Sequence, residues 1–449
     1  MKNFKLLTLL MLLISLNSSC QKEFLEERPA LSLLVPTTLS DLQALLDNTT
    51  IMNSIAPGLT QIATDEFAFD DGPWAALATA PQRNSYIWAA DLSEGEIIYD
   101  WNGPYRAIFY TNVVLDGLDK LPAADTQTAA YRQVKGSALF FRGLAFFYLS
   151  NSFCKAYDGS AGSTPGIPMP LTADVNARYD RGTLEQTYKQ LLSDLETAYS
   201  LLPNLAIAKN RPTAAAAAAI LSRVYLDMGD YDKSLSYANA CISQQDKLID
   251  YNTFNTTIFY PFEETLPNGN TEILLFMNFV SYAFQGASTT IAAPELYNQY
   301  GTDDLRKTVF FNKSSKGNIT YKGYDGITLP EVFLSAAECL ARQGKLEDCA
   351  AMLNKLLKFR ISKATFSPVV FATAEDALRR VLLERRKEMV AHGLRWFDIK
   401  RLNLTPATAI TLNRTVAGKT YTLLPNDKKD VYPIPLQEIS RHNIQQNER

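Results

Sequence analysis

Four carboxylates close together in the N-terminal quarter of the chain could carry chemistry: Asp65, Glu66, Asp70 and Asp71. Glycoside hydrolases work with a pair of carboxylates, and calcium prefers clustered oxygen ligands. The spacing lacks the pattern of an EF-hand loop. We therefore predict no metal site and no cofactor, and we interpret the cluster as a solvated acidic loop or as polar groups that line a sugar site.

A second charged cluster lies near the C-terminus, where arginines and carboxylates alternate over two short stretches. Its members are Glu384, Arg385, Arg386, Glu388, Arg395, Asp398 and Arg401. General acid–base catalysis needs a carboxylate with a raised pKa, whereas neighbouring arginines hold carboxylates ionised. The pattern therefore predicts a structural ion-pair network that locks the last helices, and no catalytic residue. With only two histidines in the chain, chemistry that needs a histidine cluster is excluded.

Exposed aromatic side chains are the third candidate, because sugar rings pack their C–H faces on them. We expect Trp88 and Trp101 to be core residues, and Trp74, which follows a Gly-Pro turn, to be exposed. Two irregular segments, 67–86 and 278–284, are predicted to form the ligand site. The predicted ligand-binding residues are Trp74, Arg83, Asn84, Tyr86, Asn278, Tyr282 and Phe284, with Trp74 or Tyr282 as the stacking face.

The elements that must position these residues are predicted to be mainly helical. Apolar residues recur at helical spacing over 101–115, 131–153 and 183–202. Two helix–turn–helix pairs, at 212–242 and 331–357, match the tetratricopeptide pattern around Gly229 and Gly344. Between them, 251–324 is aromatic and irregular, with a strand predicted at 273–276. The two pairs are far apart in sequence and are not predicted to be adjacent units of a regular array.

Composition narrows the function classes. The chain has 449 residues, 44 Lys and Arg against 47 Asp and Glu, and a net charge of −3, which argues against a nucleic-acid partner. Apart from Cys20, its four cysteines form no CxxC pair, so zinc is disfavoured. We expect these four to be buried free thiols.

The first twenty residues predict a secretory lipoprotein signal. Lys2 and Lys5 precede a short apolar run that ends near Leu16 and is too short to span a bilayer. The run is followed by small residues and Cys20, an arrangement that resembles the lipobox of bacterial lipoproteins. We predict a signal peptide at 1–19, lipid attachment at Cys20 and a single domain at 20–449.

The C-terminal part of the chain contains the ERRKE of 384–388, the glycine at 393, the RWFDIKR of 395–401 and the YPIP of 432–435. These motifs show a resemblance to the SusD/RagB family of outer-membrane nutrient-binding lipoproteins. It extends to the Phe-Leu of 24–25 and to the NTEILL of 270–275. Two positions depart from the family pattern: Thr328 and Leu357 stand where arginines are usual.

The resemblance implies a SusD-like helical scaffold over about 101–250 and 327–449, with irregular ligand-facing regions at about 60–100 and 251–326 and a few short strands. It implies a lipid-anchored protein, exposed at the surface of the outer membrane, that binds an oligosaccharide, is not an enzyme and serves a SusC-like TonB-dependent transporter. A RagB-like peptide binder is the nearest alternative. A glycoside hydrolase and a tetratricopeptide scaffold for a protein tail are the others.

Overall fold

The computed structural model describes residues 36–205, 207–255, 258, 261–262, 266, 269–314, 319–321 and 326–449. The predicted signal peptide at 1–19 and the predicted lipid attachment at Cys20 lie outside the described residues. From Leu39 to Arg449 the chain forms one unit, and the statements below refer to it.

Helices dominate this unit, as the periodicity predicts. They are α1 (Leu39–Leu46), α2 (Thr49–Met52), α3 (Leu59–Ile62), α4 (Asp71–Ala75), α5 (Ala80–Tyr86), α6 (Tyr99–Leu118), α7 (Ala129–Phe153), α8 (Leu184–Leu201), α9 (Ala214–Asp227), α10 (Tyr231–Gln244), α11 (Pro294–Tyr297), α12 (Arg306–Val309), α13 (Leu329–Arg342), α14 (Leu346–Leu357), α15 (Ala374–Glu388), α16 (Arg395–Leu402) and α17 (Leu436–His442).

The strands are short and pair two by two, always antiparallel. They are β1 (Phe67–Ala68), β2 (Ile273–Leu275), β3 (Ile291–Ala292), β4 (Phe311–Lys313), β5 (Ile319–Tyr321), β6 (Ile327–Thr328), β7 (Leu412–Val416) and β8 (Lys419–Leu423). The pairs are β1–β3, β2–β6, β4–β5 and β7–β8. The predicted strand at 273–276 is therefore present, and it connects the region after α10 to the start of α13.

The long helices form a stack of neighbours. α7 packs against α6 and α8, α9 against α8 and α10, and α13 against α10, α14 and α15. The two tetratricopeptide-like pairs turn at Gly229 and Gly344, whose φ angles of +76° and +70° are in the left-handed region. Although distant in sequence, these pairs are adjacent in space, because α10 packs directly on α13. The expectation that they are not neighbouring units holds only along the chain.

Burial explains the composition of the central helices. Every residue of α9 is buried, and so is α7 from Gly136 to Phe153. A helix that is surrounded on all sides needs side chains that are small, apolar or paired within the protein, which accounts for the alanine run of α9 and for the pairing of its Arg223 with Glu331. Trp88 and Trp101 are buried, as expected. The four cysteines that the structure describes are buried and unpaired, which confirms that prediction.

One expectation about the fold is wrong. The segment 67–86 was predicted to be irregular, but it contains α4 and α5. Pro81 lies in the first turn of α5, where proline favours helix initiation because its fixed φ suits the helix and its missing N–H is not needed.

Candidate functional site

A cavity of about 1050 Å³ opens between several segments of the molecule. Its wall combines parts of five segments: the chain around Thr50–Gln61, Phe67 of β1, the first turns of α6, the stretch 278–290, and the turn 390–392 that follows α15. Two residues of β5, Thr320 and Tyr321, complete the wall. These segments are distant in sequence, so the cavity depends on the contacts that bring them together.

The start of α6 presents one helical face to the cavity. Asn102 and Gly103 lie three and four positions after Tyr99, Arg106 lies three positions after Gly103, and all four line the cavity. Tyr99 is 50% exposed, which leaves much of its ring accessible. An aromatic face beside an amide and a guanidinium can pack on a sugar ring while hydrogen-bonding its hydroxyls.

Asp100, the buried neighbour of Tyr99 in that first turn, fixes the helix in place. Its Oδ1 accepts a hydrogen bond from the backbone N–H of Leu59 at 3.0 Å, and its Oδ2 accepts one from the Tyr282 hydroxyl at 2.6 Å. Burial raises the pKa of Asp100 to about 6, against the opposing effect of these hydrogen bonds. One buried carboxyl thus joins α6, α3 and the 278–290 stretch.

The 278–290 stretch is held against the chain before α3 by its backbone. Val280 N–H donates to the carbonyl of Ala56 at 2.8 Å, and Asn278 N–H donates to that of Asn53 at 2.5 Å. The approach is so close that a Cβ on Gly58 would lie 2.0 Å from the Val280 carbonyl oxygen. Only glycine fits there, and the contact holds Asn278 and its neighbour Phe279 at the cavity wall.

The turn after α15 is shaped by a second glycine. Gly393 has a φ of +71°, and a Cβ at this position would lie 2.5 Å from the ring of Phe279. The ring therefore packs on the bare backbone of Gly393, which joins the 390–392 turn to the 278–290 stretch.

Three polar atoms on cavity-lining residues are buried and have no hydrogen-bond partner among the described residues: Gln61 Nε2, Gln285 Nε2 and Thr290 Oγ1. The amide of Gln285 is held in position, because its Oε1 accepts from the Tyr282 N–H at 2.9 Å. Unsatisfied buried donors and acceptors are costly and rare in folded proteins. A ligand rich in hydroxyl or carbonyl groups would satisfy them once a small rotation of the side chains exposes these atoms to the cavity.

The cavity lining carries no carboxylate among the residues that the structure describes. Burial lowers the pKa of His392, which favours a neutral imidazole at the wall. The lining is thus built from amides, hydroxyls and aromatic rings, with Arg106 as a cationic group. Such a surface can bind a polar ligand, but it lacks the carboxylate pair that glycoside hydrolysis requires.

The structure divides the seven predicted ligand-binding residues into two groups. Asn278 and Phe284 line the cavity. Tyr282 does not; it is buried behind the wall, where it positions Asp100. Trp74, Arg83, Asn84 and Tyr86 lie elsewhere, on α4 and α5.

Those four residues mainly hold their own region together. The Trp74 indole N–H donates to the Arg83 carbonyl at 3.1 Å, and the Arg83 guanidinium donates to the Leu77 carbonyl at 2.7 Å. Asn84 is buried and donates to Glu94 Oε1 at 2.9 Å, and the Tyr86 hydroxyl accepts from the Phe69 N–H at 3.1 Å. Ligand contact by these residues remains a prediction that their geometry does not favour.

Sequence reasoning missed Tyr99, Asn102, Gln61 and Gln285. Tyr99 and Asn102 could have been predicted from the sequence, since they lie on a polar face of an otherwise apolar helix. Gln61 and Gln285 could not, because they reach the cavity only through the contacts between distant segments.

The acidic cluster does not act as a unit. Asp65 pairs with Arg395 at 2.7 Å and with Arg386 at 2.8 Å. Burial alone would raise its pKa, but these arginines hold the pKa of Asp65 well below its usual range. Asp71 Oδ1 accepts a hydrogen bond from the backbone N–H of Ala417 at 2.7 Å, in the turn between β7 and β8. In the described part of the chain, no group of His, Cys, Asp or Glu is arranged to hold a metal ion.

Glu66 differs sharply from its neighbour. It is 1% exposed, and its Oε2 is among the buried atoms without a hydrogen-bond partner in the described residues. Burial, together with the adjacent Asp65 carboxylate, raises the pKa of Glu66 to about 8, against the opposing effect of the two arginines and the Ala391 N–H. This carboxyl is therefore largely protonated at neutral pH.

All seven residues of the predicted C-terminal network lie in ion pairs. Arg385 and Arg401 both pair with Asp398, at 2.9 and 2.8 Å, and Arg401 also pairs with Glu338 at 2.6 Å. Glu384 and Glu388 both pair with Arg306, at 2.6 and 3.1 Å. Arg386 and Arg395 hold Asp65, as described above.

Two arginines that the sequence analysis did not single out are central to this network. Arg306 and Arg360 each have a side chain that is 0% exposed. Arg360 joins Glu388 and Glu272, both at 2.7 Å. Arg360 lies just after α14, three positions beyond Leu357. The family pattern has an arginine at the position of Leu357, so Arg360 supplies a buried arginine close to that position.

The fold and the site together define a class of protein: a scaffold of stacked helix pairs that supports a ligand cavity made by irregular segments. A family model described as "Starch-binding associating with outer membrane" matches residues 23–226, and the SusD family model matches residues 248–449. Together they cover most of the chain, which belongs to the SusD/RagB family.

Individual relatives agree with this assignment. The SusD-like protein P2 of Formosa agariphila is 23% identical, over 90% of this chain and 91% of its own length. A putative sugar binding protein from Bacteroides vulgatus superposes with a TM-score of 0.74 at 22% identity, covering 92% of this chain and 99% of its own. A SusD superfamily protein from Bacteroides thetaiotaomicron gives 0.72 at 22% identity, covering 92% and 100%. At these identities the solved structures establish the fold.

Between residues 36 and 449, the described helices include none with both the length and the apolar character needed to cross a bilayer.

Proposed function

We propose that this protein binds an oligosaccharide in the 1050 Å³ cavity and delivers it to a partner TonB-dependent transporter, while a lipid on Cys20 anchors it at the surface of the outer membrane. The observation that carries the binding part is the cavity lining. It combines an accessible aromatic ring, several amides and hydroxyls, and buried polar atoms that have no hydrogen-bond partner in the described part of the chain.

The relatives support the same ligand class. One family model that matches this chain is described as starch-binding, and a structural neighbour from Bacteroides vulgatus is described as a SusD-like carbohydrate binding protein, with a TM-score of 0.68 at 19% identity. The cavity volume also falls at the upper end of the range of ligand pockets, which suits an oligosaccharide better than a single sugar.

The electrostatics argue against catalysis. A glycoside hydrolase needs two carboxyl groups that flank the scissile bond. Asp65 is bound to two arginines, Glu66 is buried behind the wall, and the described lining contributes no carboxylate. We infer a binding protein that releases its ligand chemically unchanged.

A peptide is the second candidate. Amides such as those of Asn102, Asn278 and Gln285 can hydrogen-bond a peptide backbone as well as a sugar hydroxyl. The exposed Tyr99 ring, which offers a face for sugar C–H groups, favours the oligosaccharide.

The direct test is calorimetry of the full chain against glycans and peptides. The panel would contain linear α- and β-linked glucan and mannan fragments and a set of short peptides. We expect the wild type to bind one glycan series and Tyr99→Ala to weaken that binding about tenfold, the effect of one stacked aromatic. Leu383→Ala is the control, since Leu383 is a similarly exposed apolar residue away from the cavity. Binding of peptides alone would favour the second candidate, and glycan turnover would contradict the binding role.

Anchoring and delivery need a cellular test. If Cys20 carries the lipid, Cys20→Ala should leave the protein unacylated and shift it from the outer-membrane fraction to the soluble fraction. Retention of the variant in the membrane of cells that lack the transporter would contradict lipid anchoring. Delivery predicts that the wild-type protein co-purifies with a TonB-dependent transporter from solubilised membranes and that its deletion slows uptake of the bound glycan.

A further inference from the structure

A second cavity, of about 380 Å³, lies along the same helix as the first. It is bordered by α6, by the loop 168–179 and by α17. Trp101, Tyr105 and Phe109 supply an aromatic wall, and Glu438 and Arg441 supply polar groups. Nothing in the proposed function uses this space, although its volume is within the range of small-ligand sites.

The wall of this second cavity is held on both sides. The Tyr105 hydroxyl donates to the Pro168 carbonyl at 2.7 Å, and the Asn112 amide donates to the Pro170 carbonyl at 2.9 Å. From the other side, the Arg441 guanidinium donates to the Val175 carbonyl at 2.8 Å. The loop is therefore fixed to α6 and to α17, so the cavity is a preformed feature of the fold.

The two cavities meet at Asn102, which lines both of them. Tyr99, Asn102, Arg106 and Phe109 are all exposed and follow one another at spacings of three, four and three. They therefore form one continuous strip along α6, about 15 Å long at 1.5 Å per residue. The strip begins and ends with an aromatic ring and has an amide and a guanidinium between them.

We propose that the two cavities are subsites of one elongated binding site, joined across the α6 strip at Asn102. This inference rests on the proposed function and narrows its ligand to a linear oligosaccharide long enough to reach both cavities. Tyr99 provides the aromatic face in the first subsite and Phe109, 39% exposed, provides it in the second. Asn102 and Arg106 contact hydroxyl groups of the sugar units that cross the helix.

The test measures how affinity depends on chain length. Each glycan series, from disaccharide to octasaccharide, is titrated into the full-length wild type and into Tyr99→Ala, Phe109→Ala and Leu383→Ala. Leu383→Ala again controls for loss of a surface apolar group. We expect wild-type affinity to rise with length and then to level off when both subsites are filled. Phe109→Ala should weaken binding of the longest glycan about tenfold and remove most of its advantage over the shortest. Tyr99→Ala should weaken both.

The outcomes separate the inference from the function on which it rests. If short and long glycans bind equally, or if Phe109→Ala behaves like Leu383→Ala at every length while Tyr99→Ala weakens binding, the elongated site is wrong and the single-cavity function stands. If no glycan of any series binds, the proposed function fails and the inference fails with it. A length dependence that Phe109→Ala does not reduce also overturns it, because the extra units then lie elsewhere.

Discussion

The C-terminal ion-pair network and the cavity wall adjoin each other, but they differ in whether their buried polar groups have partners. In the network, each buried charge has a partner: Arg306, with a side chain that is 0% exposed, faces three carboxylates within 3.1 Å. At the cavity wall, Gln61, Gln285 and Thr290 carry buried polar atoms without a partner in the described residues. The boundary is short, since the turn 390–392 leads directly from α15 to the wall.

The contrast suggests a division of tasks. A buried ion pair is costly to break, because the charge that remains is left unpaired in a low-dielectric environment. It therefore fixes the packing of segments that come from different parts of the chain. An unpaired neutral polar group costs less free energy than an unpaired charge. A binding site can therefore contain such groups before the ligand is bound. The network should thus control stability and the wall should control affinity.

The largest expected effect is the loss of Arg306. Arg306→Ala removes the shared partner of Asp304, Glu384 and Glu388 and should lower the free energy of unfolding by about 3–5 kcal/mol. Arg379→Ala is the control, because its ion pair with Asp376 is on the surface, with the arginine side chain 73% exposed, and should cost less than about 1 kcal/mol. Chemical denaturation measures both. Equal losses for the two variants would contradict a structural role for the buried network.

Glu384→Ala gives a milder version of the same experiment. Burial alone would raise the pKa of Glu384, but Arg306, Lys387 and Arg380 lower it. The variant should therefore melt earlier than the wild type while it keeps its ligand affinity at low temperature. A stable variant that no longer binds would place Glu384 in the site instead.

The next effect, on the order of a few kcal/mol, is a pH dependence centred on Glu66. Its pKa is raised from an ordinary 4.5 to about 8, so between these values the folded state holds a proton that the unfolded state has lost. Stability should fall as the pH rises from about 4.5 to 8. Glu66→Gln, which mimics the protonated form, should lose that part of the dependence.

The measurement is the melting temperature of wild type and variant between pH 5 and about 8.5. Asp100, with its pKa raised to about 6, contributes a loss of the same sign in both proteins, so the difference between them isolates Glu66. Glu347→Gln, at an exposed carboxylate of α14, controls for the removal of one charge. Parallel curves for the wild type and Glu66→Gln would show that Glu66 is already ionised in the fold.

The sequence predicted what depends on local patterns. The periodicity of α6 to α10 and the turns at Gly229 and Gly344 follow from residues within a few positions of each other. The same holds for the charged residues of α15 and α16, since their motif brings arginines and carboxylates together in one short stretch. Family membership rests on these motifs too.

What the sequence could not predict depends on contacts between distant segments. Tyr282 lies in an aromatic, irregular segment, which predicts a residue that stacks on a ligand. Instead its hydroxyl donates a hydrogen bond to Asp100, 182 positions away, and its side chain is buried in the core. The Trp74 indole N–H donates to the Arg83 carbonyl only nine positions away, and this contact was missed because α4 and α5 were not predicted. Arg306 has Asp304 two residues before it, but its pairs with Glu384 and Glu388 join segments that are far apart in sequence. The same is true of the pairs that Arg360 forms with Glu272 and Glu388.

A smaller effect is expected from a residue at the junction between the two regions. Tyr282→Phe removes the hydroxyl that donates to Asp100, so it should cost about 1 kcal/mol of stability, the net value of one hydrogen bond. It leaves the cavity lining intact, so affinity for the glycan should change much less than in Tyr99→Ala. Denaturation and calorimetry on both variants test this. A loss of affinity in Tyr282→Phe that matches Tyr99→Ala would return Tyr282 to the binding site.

The smallest change in stability, and the sharpest test of the division of tasks, is expected from Thr290→Val. The Thr290 hydroxyl is buried at the cavity wall without a partner in the described residues, so its replacement by a methyl group should leave stability unchanged or raise it by up to about 1 kcal/mol. Thr328→Val is a matched control, because the Thr328 hydroxyl is also buried and without a partner in the described residues but lies at the start of α13, outside both cavities.

Both variants should fold as well as the wild type. Only Thr290→Val should bind the glycan more weakly, by a few-fold, since about 0.5–1.5 kcal/mol is the net value of a hydrogen bond. If both variants lose stability, or if neither changes the affinity, the unpaired polar groups of the wall are not reserved for a ligand.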